Sequence, residues 1–189
     1  MVRWSLAVRP LPSQLRCGDA GVVIVTSSFV TAALVDGLGH GDLAAEVAEQ
    51  AVDVVRAEAT LAPEALLRAL DAALAGGRGA VASVVRIEGG VATFAGIGNV
   101  GLTFAGRRPF APITVPGILG RRLRKVRSFS HELSPGDRLV MTTDGMASHI
   151  DLAAAREEPE ALAGALLARW ARPTDDAGCL ALTWPGGPR

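Results

Sequence analysis

Residues 17–37 read Cys17-Gly18-Asp19-Ala20-Gly21-Val22-Val23-Ile24-Val25-Thr26-Ser27-Ser28-Phe29-Val30-Thr31-Ala32-Ala33-Leu34-Val35-Asp36-Gly37. Two β-branched, apolar runs, Gly21 to Thr26 and Phe29 to Val35, flank Ser27-Ser28, and this pattern predicts an antiparallel hairpin buried on both faces. Asp19 precedes the outgoing strand and Asp36 follows the returning one. The hairpin therefore brings both carboxylates to one end, although they are far apart in sequence.

The same geometry recurs near the other end of the chain. The run Arg138 to Thr143 leads into Thr143-Asp144-Gly145, and Asp175-Asp176 stands just before the apolar run Cys179 to Trp184. If those two strands pair antiparallel, their acids also meet at one edge. Buried carboxylates need a cation to neutralise them, and adjacent glycines allow close approach of a carbonyl or a water. Separated acids without a cysteine or histidine cluster favour Mg²⁺ or Mn²⁺ over Zn²⁺ or copper. Two such ions about 3.5–4 Å apart lower the pKa of a shared water and clamp phosphoryl oxygens during in-line attack. Asp-Gly is also a common turn dipeptide, so each motif alone is an ordinary turn. Four at corresponding strand ends point to a hard-cation site suited to phosphate ester hydrolysis.

Between these ends the period alternates. Beyond Gly41 a helical stripe of Leu43, Val47, Ala51, Val54 and Val55 is set against Glu46, Glu49, Asp53 and Arg56. A second helix is predicted from Pro63, with Leu66, Leu67, Leu70 and Leu74 inward and a stop at Gly76-Gly77. Both should cover one sheet face. Ala80 to Ile87, Val91 to Ile97 and Gly101 to Ala105 then read as a three-strand meander. Arg107 to Ile118 is a proline-rich loop, and Arg127 to Leu133 is a strand joined to Arg138 by the turn Ser134-Pro135-Gly136-Asp137. Pro159 to Trp170 is a third helix, with Leu162, Leu166 and Trp170 in line. Strand runs segregated from helix runs predict an α+β fold of two packed antiparallel sheets flanked by helices, with residues 1–189 as one domain.

The bulk numbers agree with this. The chain has 189 residues, 49% of them hydrophobic and 20% charged, which is a globular composition able to fill a core. Lys+Arg and Asp+Glu both total 19, so no net field draws in nucleic acid or membrane. No apolar run reaches the ~20 residues of a membrane span. Cys17 and Cys179 have no metal-ligand spacing, and the N-terminus lacks a charged segment followed by a long apolar stretch. A soluble monomer in the reducing cytoplasm is expected.

The ordered set Cys17-Gly18-Asp19, Val35-Asp36-Gly37-Leu38-Gly39-His40-Gly41, Arg78-Gly79-Ala80-Val81-Ala82-Ser83, Gly98-Asn99-Val100, Thr143-Asp144-Gly145 and Asp175-Asp176 resembles a known family. It is similar to the metal-dependent serine/threonine phosphatases of the protein phosphatase 2C type, in their bacterial SpoIIE-like branch, and most to the small stand-alone RsbX-type members of stress signalling. The resemblance covers most of the chain and implies a protein phosphatase 2C-like sandwich holding two Mn²⁺ or Mg²⁺ ions. It implies Asp36 bridging them with the Gly37 carbonyl on one, Asp144 and Asp175 on the other, and Asp19 acting through waters. The implied substrate is phosphoserine or phosphothreonine on a regulatory partner, a stressosome scaffold or anti-sigma antagonist-like protein, attacked by a metal-bridged water. One departure stands out: the family continues Asp-Asp or Asp-Asn with x-Thr, whereas Ala177-Gly178 follows here. The lost hydroxyl leaves Asp175 and Asp176 as alternative ligands. His40, beside the bridging acid, is a candidate proton donor to the leaving oxygen, with packing at the helix start as the alternative. His131 and His149 read as structural or exposed.

Other chemistries fail on spacing. Gly96-Ile97-Gly98-Asn99-Val100-Gly101 fits a dinucleotide fingerprint, but strand residues follow it and Arg121-Arg122 stand where an acid should hold a ribose. A cysteine phosphatase needs an arginine six residues after its nucleophile, where this chain has Val23 and Pro185. A P-loop needs Gly-Lys-Ser/Thr, and the only lysine, Lys125, precedes Val126. Arg121, Arg122, Arg124, Lys125 and Arg127 form a basic patch without interleaved aromatics. It reads as a solvated edge strand or loop, or as a docking surface for a phosphoprotein. An active phosphatase and a non-catalytic binding module on the same fold are the two functional readings. Retention of the converging acids favours the first.

Overall fold

The hairpin forms as its sequence requires, and its two acids are direct partners across it. In the computed structural model, which describes residues 1–152 and 154–186, β1 (Arg3–Arg9) precedes β2 (Asp19–Val25) and β3 (Phe29–Gly37). Asp19 lies opposite Asp36, and Val25 opposite Val30. Two helices follow, α1 (Asp42–Ala57) and α2 (Pro63–Ala73), then β4 (Ala80–Glu88), β5 (Val91–Ile97), β6 (Gly101–Ala105), β7 (Ser128–Glu132) and β8 (Arg138–Thr142). The chain closes with α3 (Pro159–Trp170) and β9 (Ala177–Thr183).

These strands make two antiparallel sheets, one in the order β2-β3-β4-β5-β7 and the other β1-β9-β8-β6. Alternation along each strand divides the interior into three cores. Ala33 and Val35 of β3 pack with Leu66, Leu67 and Leu70 under α1 and α2. Val30, Ala32 and Leu34 face the other way, onto Leu139, Met141, Leu180 and Leu182 of the second sheet. α3 covers that sheet's far face through Leu162, Ala163 and Leu166. The result is the expected α+β sandwich, layered helix, sheet, sheet, helix.

Two expectations need correction. The meander stops at β5: β6 leaves the five-stranded sheet and pairs with β8, while β7 takes the place beside β5. Gly98 has φ +86° and Val100 is buried between the sheets, so the turn carries the chain across the sandwich. Likewise Ser134 to Asp137 connects strands of different sheets. Asp137 is buried there, accepting the amides of Ser134 (2.8 Å) and Arg107 (3.2 Å). The expected stripe on α1 holds at Val47, Ala51, Val54 and Val55 but not at Leu43. Leu43 is 55% exposed, and Ala44, Ala45, Ala48, Ala51, Val52 and Val55 are the buried residues. Alanines let this helix sit close to β2 and β3, whereas Leu43 in its first turn faces solvent. The basic patch is a loop rather than an edge strand. Among the described residues no helix is long and apolar enough to cross a membrane.

Candidate active site

Parity puts the acids between the sheets. Asp36 follows Ala32 and Leu34 on the inner face of β3, and Asp19 is its cross-strand partner on the same face. From the opposite sheet, Thr143 extends the inward series Leu139, Met141, and Gly178 precedes the inward Leu180 and Leu182. The two inner faces meet at this end of the sandwich. Thr143 Oγ1 donates to Asp19 Oδ2 at 2.7 Å and accepts the Gly178 amide at 2.8 Å, tying both sheets together through one buried hydroxyl.

A cavity of about 600 Å³ opens at that end, lined by Asp36, Asp144 and Asp175 together with Leu38, Gly39, His40, Val81, Gly98, Asn99, Pro116, Gly117 and Thr174. Among the described residues neither lysine nor arginine lines it. Burial pushes the Asp19 carboxyl up to about 8, and its neighbour Asp36 adds to this while the Thr143 hydroxyl opposes it. Burial, then Asp144 and Asp175, push Asp36 up to about 7. Acids held this close without a facing cation form a donor set that lacks its counter-charge. Among the described residues no three His, Cys, Asp or Glu side chains form a ready-made ligand cluster. Mg²⁺ typically keeps several waters and takes only one or two carboxylates, so carboxylates spread around a roomy cavity fit such ions.

Each remaining sequence candidate has a defined place. Gly37 lies where a Cβ would overlap the Ala44 carbonyl, so only glycine fits between β3 and α1, and its amide donates to the Gly18 carbonyl at 2.9 Å. His40 is exposed at the cavity wall. Asp176 is buried and turned away from the cavity, accepting the amides of Leu11 (2.7 Å) and Gly18 (2.9 Å). Asp175 lines the cavity and accepts the Asp176 amide at 2.9 Å. His131 stacks on Phe110 at 4.8 Å between rings, remote from the acids, and His149 is exposed. Cys17 and Cys179 are unpaired thiols whose pKa burial pushes up to about 12, so neither is a poised nucleophile.

The sequence reading gave no role to Asn99, which occupies the turn that crosses between sheets. Its Nδ2 donates to Asp144 Oδ2 at 2.7 Å and so orients that carboxylate. The signal was present in Gly98-Asn99, a polar side chain at a tight turn, but its target lay in the other sheet. Thr143 was similarly read only as a neighbour of Asp144. Thr143→Val is expected to cost about 1–3 kcal/mol, because it leaves the buried Gly178 amide unpaired and removes the donor to Asp19. Thr143→Ser should recover most of that loss, with both variants compared by chemical denaturation.

Residues 28–184 match the family described as Stage II sporulation protein E (SpoIIE). The chain belongs to the SpoIIE family. This family member is 28% identical over 134 residues to the phosphoserine phosphatase RsbX of Bacillus subtilis (strain 168), covering 69% of this chain and 67% of that protein. Among solved structures it is similar to a chain of "The bacterial stressosome: a modular system that has been adapted to control secondary messenger signaling", with a TM-score of 0.91 and 25% identity, over 96% of this chain and 99% of that one. RsbX in complex with magnesium superposes with a TM-score of 0.86 at 21% identity, over 96% and 94% of the two chains. The phosphatase domain of SpoIIE from Bacillus subtilis, named as protein phosphatase 2C, gives 0.81 at 15%, over 97% of this chain and 63% of that one. The SpoIIE-family sandwich is thus the protein phosphatase 2C fold expected from the ordered motifs.

Proposed function

We propose that the protein is a divalent-metal-dependent phosphoprotein phosphatase, acting on phosphoserine or phosphothreonine of a regulatory partner in a stressosome-type signalling pathway of the cytoplasm. The observation that carries this reading is the convergence of acids from both sheets on one cavity that, among the described residues, no lysine or arginine lines. The relationship to RsbX and to the stressosome chain supports the partner class.

Asp36, Asp144 and Asp175 would hold Mn²⁺ or Mg²⁺, two ions by the family pattern, with the Gly37 carbonyl beside Asp36. Such ions supply an activated water and neutralise the phosphoryl oxygens. The protein's own groups do the positioning. Asn99 fixes the Asp144 carboxylate, Thr143 fixes Asp19, and Asp176 fastens the backbone of Leu11 and Gly18 behind the site. On this reading Asp175 is the ligand and Asp176 the brace, supported by Asp175 lining the cavity and Asp176 accepting backbone amides behind it. His40, exposed on the wall, would give a proton to the departing serine oxygen.

Hydrolysis of p-nitrophenyl phosphate after chelation, then with added Mn²⁺, tests the reading. Metal-stimulated release is expected, and its absence in a folded sample would leave only the binding-module alternative. Melting temperatures supply a second readout. Folded Asp19 and Asp36 keep their protons up to about 8 and about 7, while the unfolded chain releases them near 3.8. The folded state thus binds more protons across that window, and metal-free stability falls as pH rises through it. Ions must displace both protons at pH 6 but at pH 8 only the part of the Asp19 proton that remains, so the rise in Tm on adding Mn²⁺ should be larger at pH 8.

A further inference from the structure

The segment from Leu119 to Arg127 is pinned on one side and charged on the other. Leu119 and Val126 are buried and Leu123 packs against the helix-covered core. Asp71 of α2 accepts the amides of Gly120 (2.8 Å) and Leu123 (2.9 Å). These anchors leave Arg121, Arg122, Arg124, Lys125 and Arg127 outward, all exposed. Elsewhere several arginines find carboxylates, Arg3 with Glu160, Arg16 with Glu49, Arg86 with Glu88 and Arg108 with Glu132, while Arg9, Arg78 and Arg138 donate to backbone carbonyls. Among the described residues none of the five loop cations pairs with a carboxylate. Arg122 also has φ +62°, a left-handed backbone where glycine would sit without strain. Arg122 thus holds an outward charge, without a carboxylate partner, on a strained backbone, a feature that clusters at binding surfaces.

The strip reaches the acid-lined cavity. A depression of about 220 Å³ lined by Arg121, Arg122, Arg124 and Lys125 shares Pro116 and Gly117 with the cavity wall. Arg121 Nη2 donates to the Arg78 carbonyl at 3.5 Å, and Arg78 Nη1 donates to the Leu38 carbonyl at 3.2 Å on the rim. An acidic floor and a basic shoulder thus stand side by side.

We propose that this shoulder binds Asp and Glu residues flanking the phosphorylated side chain, so that the substrate is an acidic segment leaving the cavity over Pro116 and Gly117. The inference rests on the phosphatase reading for the phosphorylated residue itself. Nucleic acid fits less well, because no aromatic residue between Arg121 and Lys125 offers a stacking platform and the chain carries no net positive charge. The cations attract the acidic flank toward a cavity whose own carboxylates would repel it.

Anisotropy of labelled, unphosphorylated serine peptides reads the docking without turnover, one peptide with Asp/Glu flanks and one with Asn/Gln. Several exposed pairs acting together should favour the acidic peptide by about tenfold at low salt, with the preference fading as salt rises. Combined Arg121→Glu, Arg124→Glu and Lys125→Glu should erase it, and Asp71→Asn, which loosens the loop and leaves the strip's cations in place, should weaken it. Hydrolysis of p-nitrophenyl phosphate with Mn²⁺ should be unaltered by the triple reversal. Equal binding of the two peptides, or a preference surviving the reversal, overturns the proposal. Displacement by an RNA oligonucleotide of matched charge at equal concentration would reassign the strip and overturn it too. Loss of p-nitrophenyl phosphate turnover with the peptide preference intact would instead remove the phosphatase reading and leave the acidic-flank site standing.

Discussion

Asp36→Asn is expected to lower kcat toward p-nitrophenyl phosphate by about 10³-fold or more. Asp36 faces Asp19 across the hairpin, lines the cavity, and feels Asp144 and Asp175 of the other sheet, so it is the acid through which the two halves of the site meet. If Asp36 holds ions as proposed, weakening them would remove several kcal/mol of transition-state stabilisation, and each ~1.4 kcal/mol is a factor of ten. The substitution should have the opposite effect on the metal-free fold. Asn keeps the shape of the side chain but lacks the charge whose burial drives the carboxyl up to about 7, so metal-free Tm at pH 8 should rise while the increment from Mn²⁺ shrinks. Loss of activity together with a more stable apoprotein identifies a ligand. Unchanged kcat would show that Asp36 holds no catalytic ion and would return the chain to a docking role.

That pairing of Asp19 with Asp36 was legible because a hairpin is a local object: strand lengths and a two-residue turn set the register, and register sets the face. The acids at 144 and 175 were placed together only on the condition that β8 and β9 pair, which they do, with Thr142 opposite Cys179, although α3 lies between them in sequence. What could not be read was long-range choice between sheets. Gly98-Asn99-Val100 looks like the turn of a third hairpin strand, yet Val100 is buried between sheets and β6 joins β8. Pairing energy is similar in either position, and the burial that decides it depends on residues distant in sequence. Roles that cross between sheets were hidden with it. Asn99 holding Asp144 and Thr143 holding Asp19 both act on partners 45 and 124 residues away.

Helix α1 shows a different limit. Its charged positions were assigned correctly, and Glu46, Glu49, Asp53 and Arg56 are all exposed. The apolar side was right at Val47, Ala51, Val54 and Val55 and wrong at Leu43, because a large side chain outweighs small ones in any hydrophobic stripe, whereas close packing on β2 and β3 also selects Ala44, Ala45 and Ala48. The same close approach makes glycine obligatory at residue 37, where α1 leaves no room for a methyl group. Short contacts between backbones, rather than large apolar residues, set the shape of this end of the molecule.

Gly145→Ala should therefore disrupt both fold and activity although it changes no charge. A Cβ at residue 145 would overlap the Asp176 carbonyl and stand 2.7 Å from its carbon and 3.0 Å from Ala177 Cα. These are backbone atoms, which cannot swing aside, and the Gly145 carbonyl also accepts the Arg172 amide at 2.7 Å. Relief requires the segments bearing Asp144 and Asp175 to separate. Overpacking of this kind costs about 1–3 kcal/mol. A displacement of about 1 Å at two ligand-bearing segments should lower kcat by a further 10²-fold and raise the Mn²⁺ concentration needed for half-maximal turnover. Gly164→Ala is the control. Gly164 is exposed within α3 with open space around its Cβ position, so alanine there should stabilise the protein by about 0.5–1 kcal/mol and leave turnover unchanged. Normal Mn²⁺ dependence in Gly145→Ala would mean that the two acid-bearing segments do not need this close approach, and the cavity would then not be the metal site.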